Sequence, residues 1–142
     1  MSSLRNANGD DYPDAAGKHL ADAEALVAAR RYDGAGYLAG YVVECALKSL
    51  LQVETGGAQQ THSYAKLLDQ VGKTCLTAGA MTAKYVTETI RGIPNAAIAG
   101  WKETMRYRSP SMGSGDAHAW IDDATVVYTD TIASMILDGV IQ

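Results

Sequence analysis

The residues of this chain that could do chemistry fall in three places. Tyr37, Tyr41, Glu44 and Lys48 are spaced by 4, 3 and 4 positions, which on a helix of about 3.6 residues per turn puts two phenols, an acid and a base on one stripe. The residues around that stripe are apolar, so Glu44 has two readings: an i,i+4 pair with Lys48 at the bundle surface, or a partly buried carboxylate that holds an arginine or a ligand hydroxyl. His62 stands in Thr61-His62-Ser63-Tyr64, where its ring either satisfies a helix start or contributes to a binding face. The third place is Trp101-Lys102-Glu103-Thr104-Met105-Arg106-Tyr107-Arg108. Two guanidiniums around a phenol, just ahead of a Ser/Gly loop, suit bidentate phosphate binding and stacking on a base. The competing use of Arg106 is a bridge to a bundle carboxylate such as Glu44. His118 reads as a surface residue near the start of the last helix, and His19 as a helix-surface residue without a role.

Several chemistries are missing by motif. There is no Glu-x-x-His pair for a di-metal bundle and no His-Glu-x-x-His for a zincin. Gly-x-Ser-x-Gly and the Rossmann glycine pattern are absent, and Ser109-Pro110-Ser111-Met112-Gly113-Ser114-Gly115 lacks the Gly-Lys-Ser/Thr of a phosphate-binding P-loop. Cys45 and Cys75 are the only cysteines, too few for a disulfide framework and not arranged for zinc. Neither a metal nor a cofactor is expected, and a reducing cytoplasm is the expected setting.

The elements that must position these residues read as helices. At 142 residues with 47% hydrophobic and 20% charged content, the chain suits one domain around one core. No apolar run has the length of about 18 residues that a membrane span needs, and the polar N-terminus has no apolar signal core. Residues 1–12 are expected to form a flexible lead-in. Helices are expected over about 14–31, over about 34–54 with Asp33 as N-cap, after His62, from about Thr77 through Ile90, and from about Asp116 to the end. The second is apolar around most of its girth, the mark of a central helix. Within it Gly36 and Gly40 share a face, and they suggest close approach of another backbone there, since interior glycines cost about 1 kcal/mol each. The formal net charge is −4. All 12 Lys and Arg lie before Ser109, with 11 of the 16 acids, while the last 34 residues carry five aspartates and no cation. An acidic chain of this kind is a poor non-specific nucleic-acid binder, so any anion site must be local.

The string Arg31-Tyr32-Asp33-Gly34-Ala35-Gly36-Tyr37-Leu38-Ala39-Gly40-Tyr41-Val42-Val43-Glu44-Cys45-Ala46-Leu47-Lys48 closely resembles the second-helix signature of HEPN domains (higher eukaryotes and prokaryotes nucleotide-binding). Ala21-Asp22-Ala23-Glu24 before it, and His62, Leu67-Leu68, Trp101, Met105, Arg106 and Tyr107 after it, are similar too and in the expected order. The resemblance spans about residues 14–138 and implies an all-α up-and-down bundle of about four long helices plus a short one, within a single domain expected over residues 1–142. It also implies frequent homodimers, and association with nucleotidyltransferase-type partners in toxin–antitoxin or phage-defence pairs. Many HEPN proteins are metal-independent endoribonucleases that use an Arg-x4-6-His motif. Here 11 residues separate Arg106 from His118, 9 separate Arg108 from it, and Arg91 has no histidine in reach.

Three functions follow as expectations. The first is a module that binds a nucleotide, RNA or a nucleotidyltransferase partner through Tyr41, Glu44, Lys48, His62, Trp101, Arg106 and Tyr107, with Glu44 and Arg106 in contact. The second is a ribonuclease in which Arg106 or Arg108 works with His118 across the Ser/Gly loop. The third is a structural dimerisation domain that packs its Gly36/Gly40 face on another chain.

Overall fold

The computed structural model describes residues 1–57 and 60–142. Among them there are helices and turns but no strand, and the architecture is an all-α bundle. Helix α1 spans Tyr12–Ala28, α2 Tyr32–Thr55, α3 Tyr64–Thr74, α4 Glu88–Arg91 and α5 Ser114–Tyr128. A π-helical turn over Thr129–Ala133 carries α5 on into α6, Ser134–Leu137. No helix among the described residues is long and apolar enough to cross a membrane.

Helix α2 is the axis of the bundle, packed by α1, α3 and α5. Val42, Val43, Ala46, Leu47, Leu50 and Leu51 on it are fully buried. Each such leucine contributes roughly 1.5–3 kcal/mol by leaving water, which is why a helix apolar on all sides takes the central place. Its glycine face is filled from within the chain: a Cβ on Gly36 would collide with Met112, and one on Gly40 would fall inside the indole of Trp101. The close approach read from the sequence is therefore made by side chains of the same chain, not by another backbone.

Helix ends depart from the sequence reading for identifiable reasons. Asp11 caps α1 by accepting from the Asp14 N–H at 3.2 Å. The helix stops at Ala28, earlier than Arg31, because Arg30 takes the left-handed conformation (φ 61°). The Arg30 and Arg31 N–H groups then donate to the carbonyls of Val27 and Leu26 at 3.0 and 2.8 Å, the Schellman pattern, with an arginine where glycine is usual. Arg30→Gly is expected to raise stability by about 1 kcal/mol by relieving that conformation, measurable as a higher urea midpoint; a lower midpoint would contradict it. Asp33 does not cap α2. Arg31 is the N-cap residue, and the Asp33 carboxylate reaches out to accept from the Ser111 and Met112 N–H groups at 2.9 and 3.1 Å. It thereby ties the Ser/Gly loop to the start of α2. Ser63 caps α3.

The largest departure is residues 76–113. In place of a long helix from Thr77 there are short 3-10 turns at Ala83–Tyr85, Ile93–Asn95, Ala97–Gly100 and Glu103–Tyr107, with the single turn of α4 among them. Pro94 and the extended backbone at Thr87 and Ala96 interrupt the helix, yet Tyr85, Ile90, Ile93, Ile98 and Trp101 still bury their side chains. Carboxylates from α2, α5 and the turns that follow it hold this irregular segment. Glu54 accepts from the Thr82 N–H and hydroxyl at 2.9 and 2.6 Å, and these bonds, the hydroxyl's first, hold its pKa below the usual carboxylate range. Asp123 accepts from the Ile98 N–H at 3.0 Å, Asp130 from the Thr87 hydroxyl at 2.7 Å, and Asp138 from Lys84 and Tyr85 at 2.6 and 2.7 Å. Three of the five aspartates of the acidic C-terminal stretch thus face the protein and pin the crossover.

Residues 1–12, expected to be a loose lead-in, carry tertiary bonds. Ser2 bonds to Asp11, the Ser3 N–H to the Gln142 carbonyl at 2.7 Å, and Gln52 donates to the Leu4 carbonyl and the Asn6 side chain, each at 2.7 Å.

Candidate functional site

Glu44 is 3% exposed and Lys48, one turn on, 5%. Lys48 Nζ lies 2.8 Å from Glu44 Oε1 and 5.2 Å from the centre of the Tyr12 ring. His62 Nδ1 lies 3.0 Å from both carboxylate oxygens. The stripe on α2 is therefore a buried ion pair with an imidazole laid across its outer side. Both sequence readings of Glu44 are corrected in part: the pair with Lys48 exists but is buried, and the group that Glu44 holds is His62, 18 residues on, and not Arg106. Lys48 and His62 are the donors on this carboxylate, and no guanidinium reaches it among the described residues. Burial, and then Glu44, push the neighbouring Cys45 thiol up to about 12.

Outward from the pair runs an aromatic cluster. The Tyr37 and Tyr41 hydroxyls bond to each other at 3.0 Å, with their rings edge to face at 5.1 Å. The Tyr41 ring meets Trp101 edge-on at 4.9 Å and His62 at 6.2 Å. Burial, then the Tyr37 bond, push the Tyr41 phenol well above its ordinary range. Trp101 is 4% exposed, stacks on Tyr64 at 5.2 Å and donates its indole N–H to the Tyr37 carbonyl at 3.0 Å. The Tyr64 hydroxyl donates to the Gly40 carbonyl at 2.6 Å. Trp101 is thus a buried wedge that fixes α2, α3 and the 3-10 turns relative to one another, not a surface on which a base can stack.

Arg106 lies beyond this cluster on an exposed turn. Its guanidinium sits over the Tyr107 ring, 4.8 Å from the centroid, and Tyr107 is 75% exposed. Tyr107 first, and then Tyr37, raise the Arg106 pKa above its usual value. Among the described residues no carboxylate pairs with Arg106 or with the exposed Arg108. His118 is exposed on α5, and its Nδ1 lies 2.7 Å from the Ser114 carbonyl of its own helix. No hydrogen bond or ion pair joins it to Arg106 or Arg108 among the described residues. Nor do three His, Cys, Asp or Glu side chains come together there to hold a metal ion.

One member of the cluster was assigned no role by sequence reasoning. His19 packs against Tyr41 with ring centroids 5.6 Å apart, and its Nδ1 is buried without a hydrogen-bond partner. Burial, then Lys18, depress its pKa. The signal was present: Tyr12, Ala16, His19 and Ala23 recur at spacings of 4, 3 and 4, and the other three are buried.

These are the features of a bundle whose second helix carries the polar stripe and whose late turn carries a free arginine. The HEPN domain model matches residues 11–133. The chain belongs to the HEPN family, a family of helical nucleotide-binding domains. No curated protein and no solved structure matches it.

Proposed function

We propose that this HEPN domain is a non-catalytic binding module for single-stranded RNA, held on the face formed by Tyr37, Tyr41, His62, Arg106 and Tyr107. The observation that carries the reading is Arg106: an exposed guanidinium on an exposed aromatic ring, with no carboxylate partner among the described residues. A cation stacked on a π-face offers a phosphate contact and a base platform in one place. Glu44, Lys48 and Trp101 serve the face from beneath it, as the frame that positions His62 and Tyr37. A toxin–antitoxin or phage-defence setting with a nucleotidyltransferase-type partner, a homodimer and a cytoplasmic location belong to the same reading. The two buried free thiols fit a reducing compartment. Exposed Ile136 and Leu137 are apolar surface that a second copy would cover, and light scattering that gives a monomer mass across micromolar concentrations would remove the dimer.

Anisotropy of a short labelled single-stranded RNA in EDTA tests the binding. Arg106→Ala is expected to weaken binding on the order of tenfold and to reduce its salt dependence; binding that is absent, or indifferent to this substitution, ends the reading. The same mixtures, run on a gel, are expected to show intact RNA. A base and a phosphate-holding cation must converge on one phosphodiester for cleavage; His118 is turned to its own helix, and His62 is held against Glu44 with no bond to Arg106 among the described residues. Cleavage lost in Arg106→Ala, His62→Phe or His118→Ala would make the protein a ribonuclease instead.

A further inference from the structure

We infer that His62 is the specificity residue of this face, an acceptor fixed to receive the ribose 2′-hydroxyl; the inference rests on the RNA-binding reading above. The argument starts at Glu44. Its carboxylate is buried and ion-paired with Lys48 at 2.8 Å, so its oxygens accept and do not donate. His62 Nδ1, 3.0 Å from both oxygens, is therefore the nitrogen that carries the hydrogen. In the neutral ring the other nitrogen, Nε2, is then a bare lone pair. The His62 side chain is 48% exposed, and no protein group bonds its Nε2 among the described residues, since its side-chain bonds are both from Nδ1 to Glu44. The edge-on Tyr41 ring at 6.2 Å flanks the imidazole.

A lone pair fixed in this way selects its ligand by chemistry. A phosphate oxygen is itself an acceptor, and the neutral ring offers it nothing. A hydroxyl donates. Along a nucleic acid the sugar hydroxyl is the group that RNA has and DNA lacks. The face therefore divides its work: Arg106 meets phosphate, Tyr107 presents a ring, and His62 requires a sugar donor. A site built to bond a hydroxyl discriminates against the analogue without it more strongly than an apolar pocket does, because its polar group is otherwise left unpaired.

The probes are a ten-residue oligouridylate, its 2′-deoxy form and its 2′-O-methyl form. Uridine carries no exocyclic amine, and its remaining base donor, N3–H, is common to all three probes, while the methyl form removes the 2′ donor and keeps a ribose oxygen. The full chain is expected to bind the ribo form about tenfold more tightly than either analogue, the size of one hydrogen bond. In His62→Phe the three affinities are expected to converge on that of the deoxy form, whereas Arg106→Ala is expected to weaken all three alike. Equal binding of ribo and 2′-O-methyl forms with Arg106 dependence intact overturns the role of His62 and leaves the RNA-binding reading standing. No binding of any of the three overturns both. Nitrogen-15 shifts of His62 in the free, unsubstituted protein give a readout independent of binding and of any variant's folding. At a pH where those shifts show the ring neutral, they are expected to show Nδ1 protonated and Nε2 bare, and the opposite tautomer overturns the inference.

Discussion

Lys48→Ala is expected to destabilise the protein by about 3–5 kcal/mol, the cost of leaving a buried charge without its partner. The figure applies because both groups are buried, Glu44 at 3% and Lys48 at 5% exposure, and lie 2.8 Å apart. The same geometry at a helix surface would contribute only about 0.2–0.5 kcal/mol. Glu44→Ala is expected to fall in the same range and in addition to release His62 from the ring-to-carboxylate contact. Replacing the pair together, Glu44→Leu with Lys48→Met, is expected to recover most of the loss, since apolar residues of similar volume avoid the desolvation that the ion pair had to overcome. Urea unfolding of the three variants measures this, and single losses below about 1 kcal/mol would show that water reaches the pair. A double-mutant cycle of Glu44 with Arg106 is expected to show additivity, because no bond or ion pair joins the two among the described residues.

Gly40→Ala is expected to destabilise the protein, although alanine is the better helix former. A methyl at position 40 would enter the indole of Trp101, and that ring has little freedom to retreat: Tyr64 stacks on it and the Tyr37 carbonyl holds its N–H at 3.0 Å. Overpacking of a tight core costs about 1–3 kcal/mol, and here the displaced ring also disturbs the turn that bears Arg106. Trp101→Ala removes a nearly buried indole and is expected to cost about 3–5 kcal/mol. Because both changes act on one contact, the double variant should lose clearly less than the two singles together. Strict additivity, or a harmless Gly40→Ala, would mean that the indole sits elsewhere. Either single variant is also expected to weaken RNA binding without touching the ligand, through the position of Tyr37.

Local patterns in the chain determined α1, α2, α3 and the last long helix, the central place of α2, and the polar stripe of Tyr37, Tyr41, Glu44 and Lys48. These follow from spacing along one element, where the period of the helix converts sequence distance directly into a face. The resemblance to HEPN domains rested on the same helix, and the family assignment followed it. What lay outside this reach was every choice between elements. A buried carboxylate on an apolar helix announces that it needs donors, but it accepts from any donor brought to it, so whether Arg106 or His62 arrived was decided by where α3 packs. Gly36 and Gly40 announced a close approach in the same way, and packing decided that Met112 and Trp101, rather than a second backbone, would make it. Residues 76–113 have apolar spacing that a helix could use, yet they fold as turns in which Glu54 and Asp123, carried on other helices, accept from backbone N–H groups that an irregular backbone leaves open, while Asp130 and Asp138 hold the side chains of Thr87, Tyr85 and Lys84. Periodicity is a property of one segment, whereas a hydrogen-bond partner or a filled groove is a property of two, and only the folded chain brings the second one into place.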